Sequence, residues 1–510
     1  MNDYFLYLRP IGIDTHQHAA VFMRKDCHVC RAEGFNSMNR VRICLGDKSI
    51  IATLITVSDD FLSHEEAGLS DFAWQMLGAE EGQRARFSHA PAVDSLSYVR
   101  GKLYGQEFSE EAAKAIVHDI KSGNYSDVQL AAFVAACADD RLNLDETIAI
   151  TRAMVESGQR FDWGSELVLD KHCVGGLPGN RTTPIVTAII AANGLTMPKT
   201  SSRAITSPAG TADTMETMTP VALSFDHMRE VVTEQGACLA WGGSVSLSPT
   251  DDIVIRVERA LDLDSEGQLV ASVISKKVAA GSNKVLIDIP VGPTAKVRTH
   301  AAAQKLSHHL IATGEAMGLQ VATHISDGSQ PVGVGIGPAL EARDVLAVLR
   351  NEAGAPMDLR KRSLELAGRL LQMANLKDED GNELTQLEQC YQQAEETLNS
   401  LDAYDKFMAI CEAQGGFSEP EEAQFKHVIR AGRTGIITFI NNRFIARLAS
   451  LAGAPNAKLA GLEMHVRLGD KVEEGTPLMT LHAEAAGELE YALAFYQDHP
   501  EALNIDKEII

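Results

Sequence analysis

Residues 167–194, LVLDKHCVGGLPGNRTTPIVTAIIAANG, gather Lys171, His172 and Arg181 around a glycine-rich turn. Lysine and arginine bring positive charge and histidine brings a ring that titrates near neutrality, a set suited to gripping and reacting a small anion. Gly175, Gly176 and Gly179 let backbone N–H groups come close to such a ligand. The apolar triplet Leu167, Val168 and Leu169 is too short for a helix and reads as a strand. Helical pattern starts at Thr182 or Thr183, with Pro184 in the first turn, and stops at Asn193-Gly194. A helix N-terminus adds partial positive charge and unpaired donors, so phosphate is the natural guest of this strand, loop and helix. Gly179 is followed by Asn180-Arg181-Thr182, which excludes a Walker A loop. The competing reading is a turn that uses glycine for geometry alone.

A second stretch, PKTSSRAITSPAGTADTMETM at 198–218, packs Lys199, Thr200, Ser201, Ser202, Arg203, Thr206, Ser207 and Thr211 together. Thr211 reads as the N-cap of a following helix, with Asp213 and Glu216 at its start. Hydroxyls and cations ahead of a helix suit an anion better than a generic turn does.

Together, DKHCVGG and SSRAITSPAGTADTMETM resemble the thymidine phosphorylase family, whose pattern is Asp-Lys-His-Ser-x-Gly-Gly and then Ser-x-Arg-x-x-x-x-x-x-Gly-Thr-x-Asp-x-x-Glu. The resemblance continues through EGQLVASVISKK (266–277) and SDGSQPVGVGIGPALEARDVL (326–346) and covers roughly residues 95–510. GGLPGN and SRAITS are most similar to the long subgroup, which includes AMP phosphorylases and bacterial proteins described as thymidine phosphorylases.

What the resemblance implies is phosphorolysis: phosphate attacks the sugar C1′ of a nucleoside or nucleotide and releases free base. Such a reaction runs on positioning and preorganised charge. The family match assigns phosphate to Lys171, Thr183, Ser201 and Thr211. The familiar serine is Cys173 here, so one hydroxyl is lost or is supplied by Thr182 or Thr183. Catalytic roles fall to Lys171, to His172 near sugar and base, and to Asp264 as the subgroup's proton donor. Nucleoside or nucleotide contacts fall to Gly176, Ser202, Arg203, Ala204, Ile205, Thr206, Ser207, Thr211, Arg256, Ser272, Lys276 and Lys296. Ser272 and Lys276 lie four apart in a helical run, hence on one face. Pyrimidine-specific relatives generally carry Gly and His where Thr206 and Ser207 stand; the added hydroxyls suit a 5′-phosphate. Thymidine and a nucleoside monophosphate such as AMP therefore both stand as substrates. Inorganic phosphate is the co-substrate, no cofactor is expected, and the family implies a homodimer or higher homo-oligomer. Cys173 and a gapped match at Arg256 support a rival reading, a non-catalytic phosphate-sugar binding protein. GVGIG hints at a dinucleotide fingerprint but lacks its third glycine placement.

At 510 residues, with 45% hydrophobic and 23% charged residues, the chain is long enough for several cores. Its net charge of −23 weighs against nucleic acid or an anionic membrane as partner. The sequence has neither a spanning apolar run nor a signal-peptide pattern, and eight scattered cysteines read as reduced cytoplasmic thiols. Cys27 and Cys30 flank His28, with His16 and His18 upstream. A single CxxC without a second ligand pair does not make a zinc site, so no metal is expected.

The fold class that positions these loops is α/β multidomain. Residues 1–92 alternate short apolar runs with turns and read as a small β-rich domain, for which the resemblance to the long subgroup implies a barrel-like form. Residues 95–162 have helical spacing with Ser or Asn caps, and the resemblance completes this discontinuous helical domain with 249–281. An α/β domain with a central sheet takes 165–248 and 282–430, and an α+β module takes 434–510.

Overall fold

The computed structural model describes residues 4–15, 18–204, 207–245, 247–261, 263, 265–376 and 384–506. The chain divides into two compact units, Met1–Arg141 with Ile253–Leu263, and Leu142–Asp252 with Asp264–Ile510.

In the smaller unit, β1 (Phe5–Pro10), β2 (Ala20–Arg24), β3 (Arg40–Leu45), β4 (Lys48–Val57), β5 (Glu66–Leu69) and β6 (Arg84–His89) close into a barrel in the order β1-β5-β2-β4-β3-β6. Alternation along the strands sends Leu6, Leu8, Val41, Ile43, Ala85 and Phe87 inward. Cys27 caps the short helix His28–Glu33, its Sγ accepting the Cys30 N–H at 3.3 Å. Both thiols are buried in the barrel core, and among the described residues no group of three His, Cys, Asp or Glu could hold a metal; His16 lies outside them. Helices Leu96–Leu103, Glu110–Lys121 and Asp127–Cys137 follow, the last two capped by Ser109 and Ser126.

The larger unit is built on parallel strands. β7 (Leu169–Cys173), β10 (Lys284–Val291) and β11 (Gln320–Asp327) form a sheet in the order β11-β10-β7. β8 (Met197–Ser201) and β9 (Ala237–Trp241) pair with each other and join the edge through a bridge from Val168 to Thr196. The run 182–192 became the helix Thr182–Ala192, apolar all round because neighbours cover it; helices Met357–Ala374 and Asp402–Gln414 both pack on it.

The contacts draw the domain borders differently from the sequence. Helices Leu144–Ser157 and Glu266–Ala279, expected in a separate helical domain, pack together in the larger unit. Val270, Val273, Ile274 and Val278 share one core with Val285, Ile287 and Ile289 of β10. The strand Phe425–Arg430, expected to close the α/β domain, pairs antiparallel with Pro477–Ala483 and belongs to the C-terminal sheet. That sheet also recruits Gly335–Ile336 through Gly461–Met464. No helix among the described residues is long and apolar enough to cross a membrane.

The C-terminal module reaches the glycine-rich loop through one intermediary. Arg467 donates to the carbonyls of Pro331 (3.1 Å) and Gly333 (2.6 Å) and pairs with Asp358 at 3.2 Å. Between those carbonyls, Val332 donates to Pro178 O and accepts from Asn180 N. The loop passes so close that a Cβ on Gly179 would sit 2.1 Å from Val332 O, and its φ of +67° is left-handed. Gly175 is also left-handed, with φ +86°, but has open space around it.

Gly175→Ala is therefore expected to cost only the left-handed penalty, about 1–2 kcal/mol. Gly179→Ala adds a backbone clash and should cost clearly more. Denaturant melts of the two variants check this, and equal losses would mean that residues 331–335 move aside freely.

Candidate functional site

β7 and β8 both end in loops that open onto a helix, so their carboxyl ends form the kind of crevice where open parallel sheets bind ligands. On β7, alternation turns Asp170 and Lys171 in opposite directions, and both are buried.

Lys171 reaches the first turn of the helix Thr182–Ala192, where its Nζ donates to Thr182 Oγ1 (2.6 Å) and Thr183 Oγ1 (3.4 Å). An ammonium has no acceptor, so both hydroxyl oxygens accept and their hydrogens remain for donation elsewhere. Burial lowers the Lys171 pKa, partly offset by Cys173 and Asp288. Lys199, Arg181 and Arg203 each have a carboxylate at ion-pair distance; among the described cations of the two loops, Lys171 alone has none. An uncompensated buried ammonium beside donor-only hydroxyls is a site for an oxyanion.

Asp170 is the hub behind it. Fully buried, it pairs with Lys199 of β8 at 3.0 Å and Lys277 of the helix Glu266–Ala279 at 2.7 Å, and it also accepts from Ser282. Burial alone would push its carboxyl up, but the two lysines outweigh that and hold it below its ordinary value. Burial pushes Lys277 down to about 7, against the pull of Asp170. His172 is held well below its ordinary value by burial and then by Lys277, Lys199, Lys171 and Lys276, so the ring is neutral at pH 7. Cys173 is pushed up to about 11 by burial and stays a thiol; its sulfur accepts from Asn180 Nδ2 at 3.4 Å. The hydroxyls beside Lys171 come from Thr182 and Thr183.

The second loop corrects one expectation. The N-cap of the helix Thr211–Glu216 is Gly210, and Thr211 is its first helical residue. A Cβ at Gly210 would meet the backbone of Ser202, Arg203 and Ala204 within 2.7 Å, because the loop folds back over the helix start. Asp213 holds that fold by accepting from Ala204 N (2.6 Å) and Gly210 N (2.9 Å). Ser201 Oγ is shut off from water and has no hydrogen-bond partner among the described residues. Such a group needs a partner, which a water or a ligand can supply.

Several candidates play parts other than those expected from sequence. Arg181 turns its guanidinium to Glu341, to Thr211 Oγ1 and to Ala209 O. Arg203 pairs with Glu216 and Asp213 and lies 4.7 Å over the Trp241 ring. Lys458 of the C-terminal module also pairs with Glu216, at 2.7 Å. Ser207 donates to Ala209 O, while Ser202 is exposed and Ala204 half-buried. Ser272 and Lys276 share a half-buried face, as the spacing requires, and Lys276 pairs with Asp251. Gly176 packs directly on the backbone of Lys296; a Cβ there would lie 2.5 Å from Lys296 N. Arg256 belongs to the smaller unit, where it pairs with Asp127 at 2.7 Å. Asp264, Ile205 and Thr206 lie outside the described residues. Sequence reasoning missed Asp170, Lys277 and Glu341. The signal was charge balance: cations placed in buried elements require carboxylates nearby.

The chain is similar to known proteins along most of its length. The family model described as "Glycosyl transferase family, helical bundle domain" matches residues 96–158, and "Glycosyl transferase family, a/b domain" matches 165–404. "Pyrimidine nucleoside phosphorylase C-terminal domain" matches 436–499. A Hahella chejuensis protein named "Putative thymidine phosphorylase" is 61% identical over 504 residues, covering 99% of this chain and 98% of its own. Relatives of the same name from Polaromonas and Legionella pneumophila are 54% and 53% identical, over 98% and 97% of this chain and 96% and 94% of theirs. Anthranilate phosphoribosyltransferase from Thermus thermophilus shares the fold, with a TM-score of 0.51 at 18% identity over 62% of this chain and 98% of its own.

The depressed lysines set a pH dependence. Unfolded Lys277 holds its proton up to its ordinary 10.5, the folded residue only to about 7, so the unfolded chain binds more protons between those values. Stability must then rise with pH across that window, with Lys171 contributing in the same direction. Denaturant melts at about pH 7 and about pH 9 should show the rise. Lys277→Met leaves the balanced Asp170–Lys199 pair and should flatten it; an undiminished slope in that variant refutes the assignment.

Proposed function

The chain belongs to the thymidine phosphorylase family of glycosyl transferases, which are pentosyltransferases, and from that premise we propose that it cleaves the N-glycosidic bond of thymidine by phosphorolysis. Phosphate oxygen forms the new bond to C1′, the base leaves with the C1′–N electron pair and takes up a proton, and 2-deoxyribose 1-phosphate is the second product. Inorganic phosphate is the co-substrate and no further cofactor enters.

The observation that carries this reading is Lys171, a buried ammonium without a carboxylate, set beside two hydroxyls that can only donate outward. Its charge and their hydrogens match the oxygens of a phosphate, with Ser201 and Thr211 completing the cradle from the second loop. His172, neutral, takes the sugar and base side in this reading, where it can accept or donate without adding charge. Ser272 and Lys276 orient the base, and Asp264 returns the proton to it.

A second substrate reading, a nucleoside monophosphate giving ribose 1,5-bisphosphate, has its own support. Lys296 is held against Gly176 at the rim of the first loop, and the Ser207 hydroxyl of the second, which donates to Ala209 O, can turn that hydrogen to an anion instead. Cation and hydroxyl together suit a 5′-phosphate.

A phosphate-dependent assay across thymidine, uridine, AMP, CMP and UMP, with free base quantified, decides between the two; turnover of monophosphates alone selects the second. Lys171→Ala should lower kcat/KM by at least about a hundredfold while the protein stays folded. Turnover like the parent's in that variant sinks the phosphorylase reading.

A further inference from the structure

Arg181 stands at the N-cap of the helix Thr182–Ala192, between the two anion loops, yet its charge is spent before any ligand arrives. Nε and Nη2 meet Glu341 Oε2 at 2.7 and 2.6 Å, and Nη2 also donates to Ala209 O at 2.9 Å. Glu341 is buried and its other oxygen accepts from Gly337 N, so this carboxylate is fixed in place. The remaining arm, Nη1, donates to Thr211 Oγ1 at 2.7 Å. Guanidinium carries donors only, so Thr211 can do nothing but accept in that contact, and its own hydrogen must go to another acceptor. A threonine hydroxyl is otherwise free to rotate and to act either way.

We propose that Arg181 is a positioning residue for the attacking phosphate: it makes Thr211 an obligatory donor to the anion and ties the second loop to the helix that begins the first site. Neutralised by Glu341, Arg181 contributes direction to the site and little net charge. Lys171 treats Thr182 and Thr183 the same way, so all three threonines of the cradle have their oxygens occupied by cations and their hydrogens left for the ligand. The proposal rests on the phosphorylase reading given above.

The test compares steady-state kcat, KM for phosphate and KM for nucleoside in the parent and a set of site variants. Arg181→Lys keeps a cation for Glu341 but loses the fork that also reaches Thr211. It should raise the phosphate KM about tenfold, the effect of one ordinary hydrogen bond, and leave the nucleoside KM within about twofold. In a Thr211→Val background the same change should add nothing further, because the atom through which Arg181 acts is gone. Arg181→Met with Glu341→Gln removes both charges at once and should raise the phosphate KM comparably; it carries the comparison if Arg181→Lys does not fold. Ser201→Ala, a direct phosphate contact, is the control. An unchanged phosphate KM in the arginine variants beside a raised one in Ser201→Ala overturns the proposal alone, as does an undiminished Arg181→Lys effect in the Thr211→Val background. An unchanged phosphate KM in Ser201→Ala and Lys171→Ala overturns the phosphorylase reading itself.

Discussion

Burying Asp170 together with Lys199 and Lys277 is the constraint on which the rest of the larger unit depends. Three charges removed from water are tolerable only if they hold one another in good geometry. Each comes from a different element: Asp170 from β7, Lys199 from β8, Lys277 from the helix Glu266–Ala279. Those elements also carry Lys171 and His172, Ser201, and Ser272 and Lys276. Whatever keeps the triad intact therefore keeps the residues proposed for the phosphate and for the base in register. Burial first, and then the positive charge of the lysines around that carboxylate, lower the affinity of His172 for a proton.

Around that hub the protein solves a general difficulty for an acidic enzyme with an anionic substrate. Its net charge of −23 repels phosphate at a distance, and the repulsion is overcome locally. Compensated cations, Arg181 with Glu341 and Arg203 with Glu216, shape the loops without adding much net charge. The uncompensated one, Lys171, is buried where no bulk water screens it. Separating the cations that build from the cation that binds lets the loops stay stable when no ligand is present.

Much of this was legible in the sequence, and the part that was not follows a pattern. The loop and helix that follow Cys173 and the shared face of Ser272 and Lys276 depend on spacing over a few residues, and the structure has them there. Ser109, Ser126 and Asn143 cap their helices for the same reason. The strand, expected on Leu167, Val168 and Leu169, instead runs Leu169–Cys173, because pairing with β10 carries it through the polar Asp-Lys-His run. Arg181 was readable as a cation near an anion loop, but Glu341 is 160 residues away, so its true partner was not. Lys276 and Lys277 are adjacent and chemically alike, yet one pairs with Asp251 at the half-buried face and the other is sealed against Asp170. Helical periodicity separates their directions only once the core side of that helix is known. The place of the strand Phe425–Arg430 was hidden likewise: it is assigned by its partner at Pro477–Ala483, a pairing that composition does not encode.

The route from Arg467 through Val332 to Pro178 and Asn180 bears on how the protein is made. A chain emerges from the ribosome N-terminus first, and domains tend to fold as they appear. Here the glycine-rich loop is synthesised well before the arginine that fixes the segment Pro331–Gly333 beside it. The barrel and most of the sheet can assemble during translation, but that segment is held in full only after residue 467 is free. Nascent protein thus lacks the bonds that tie this segment to the C-terminal module until Arg467 has emerged.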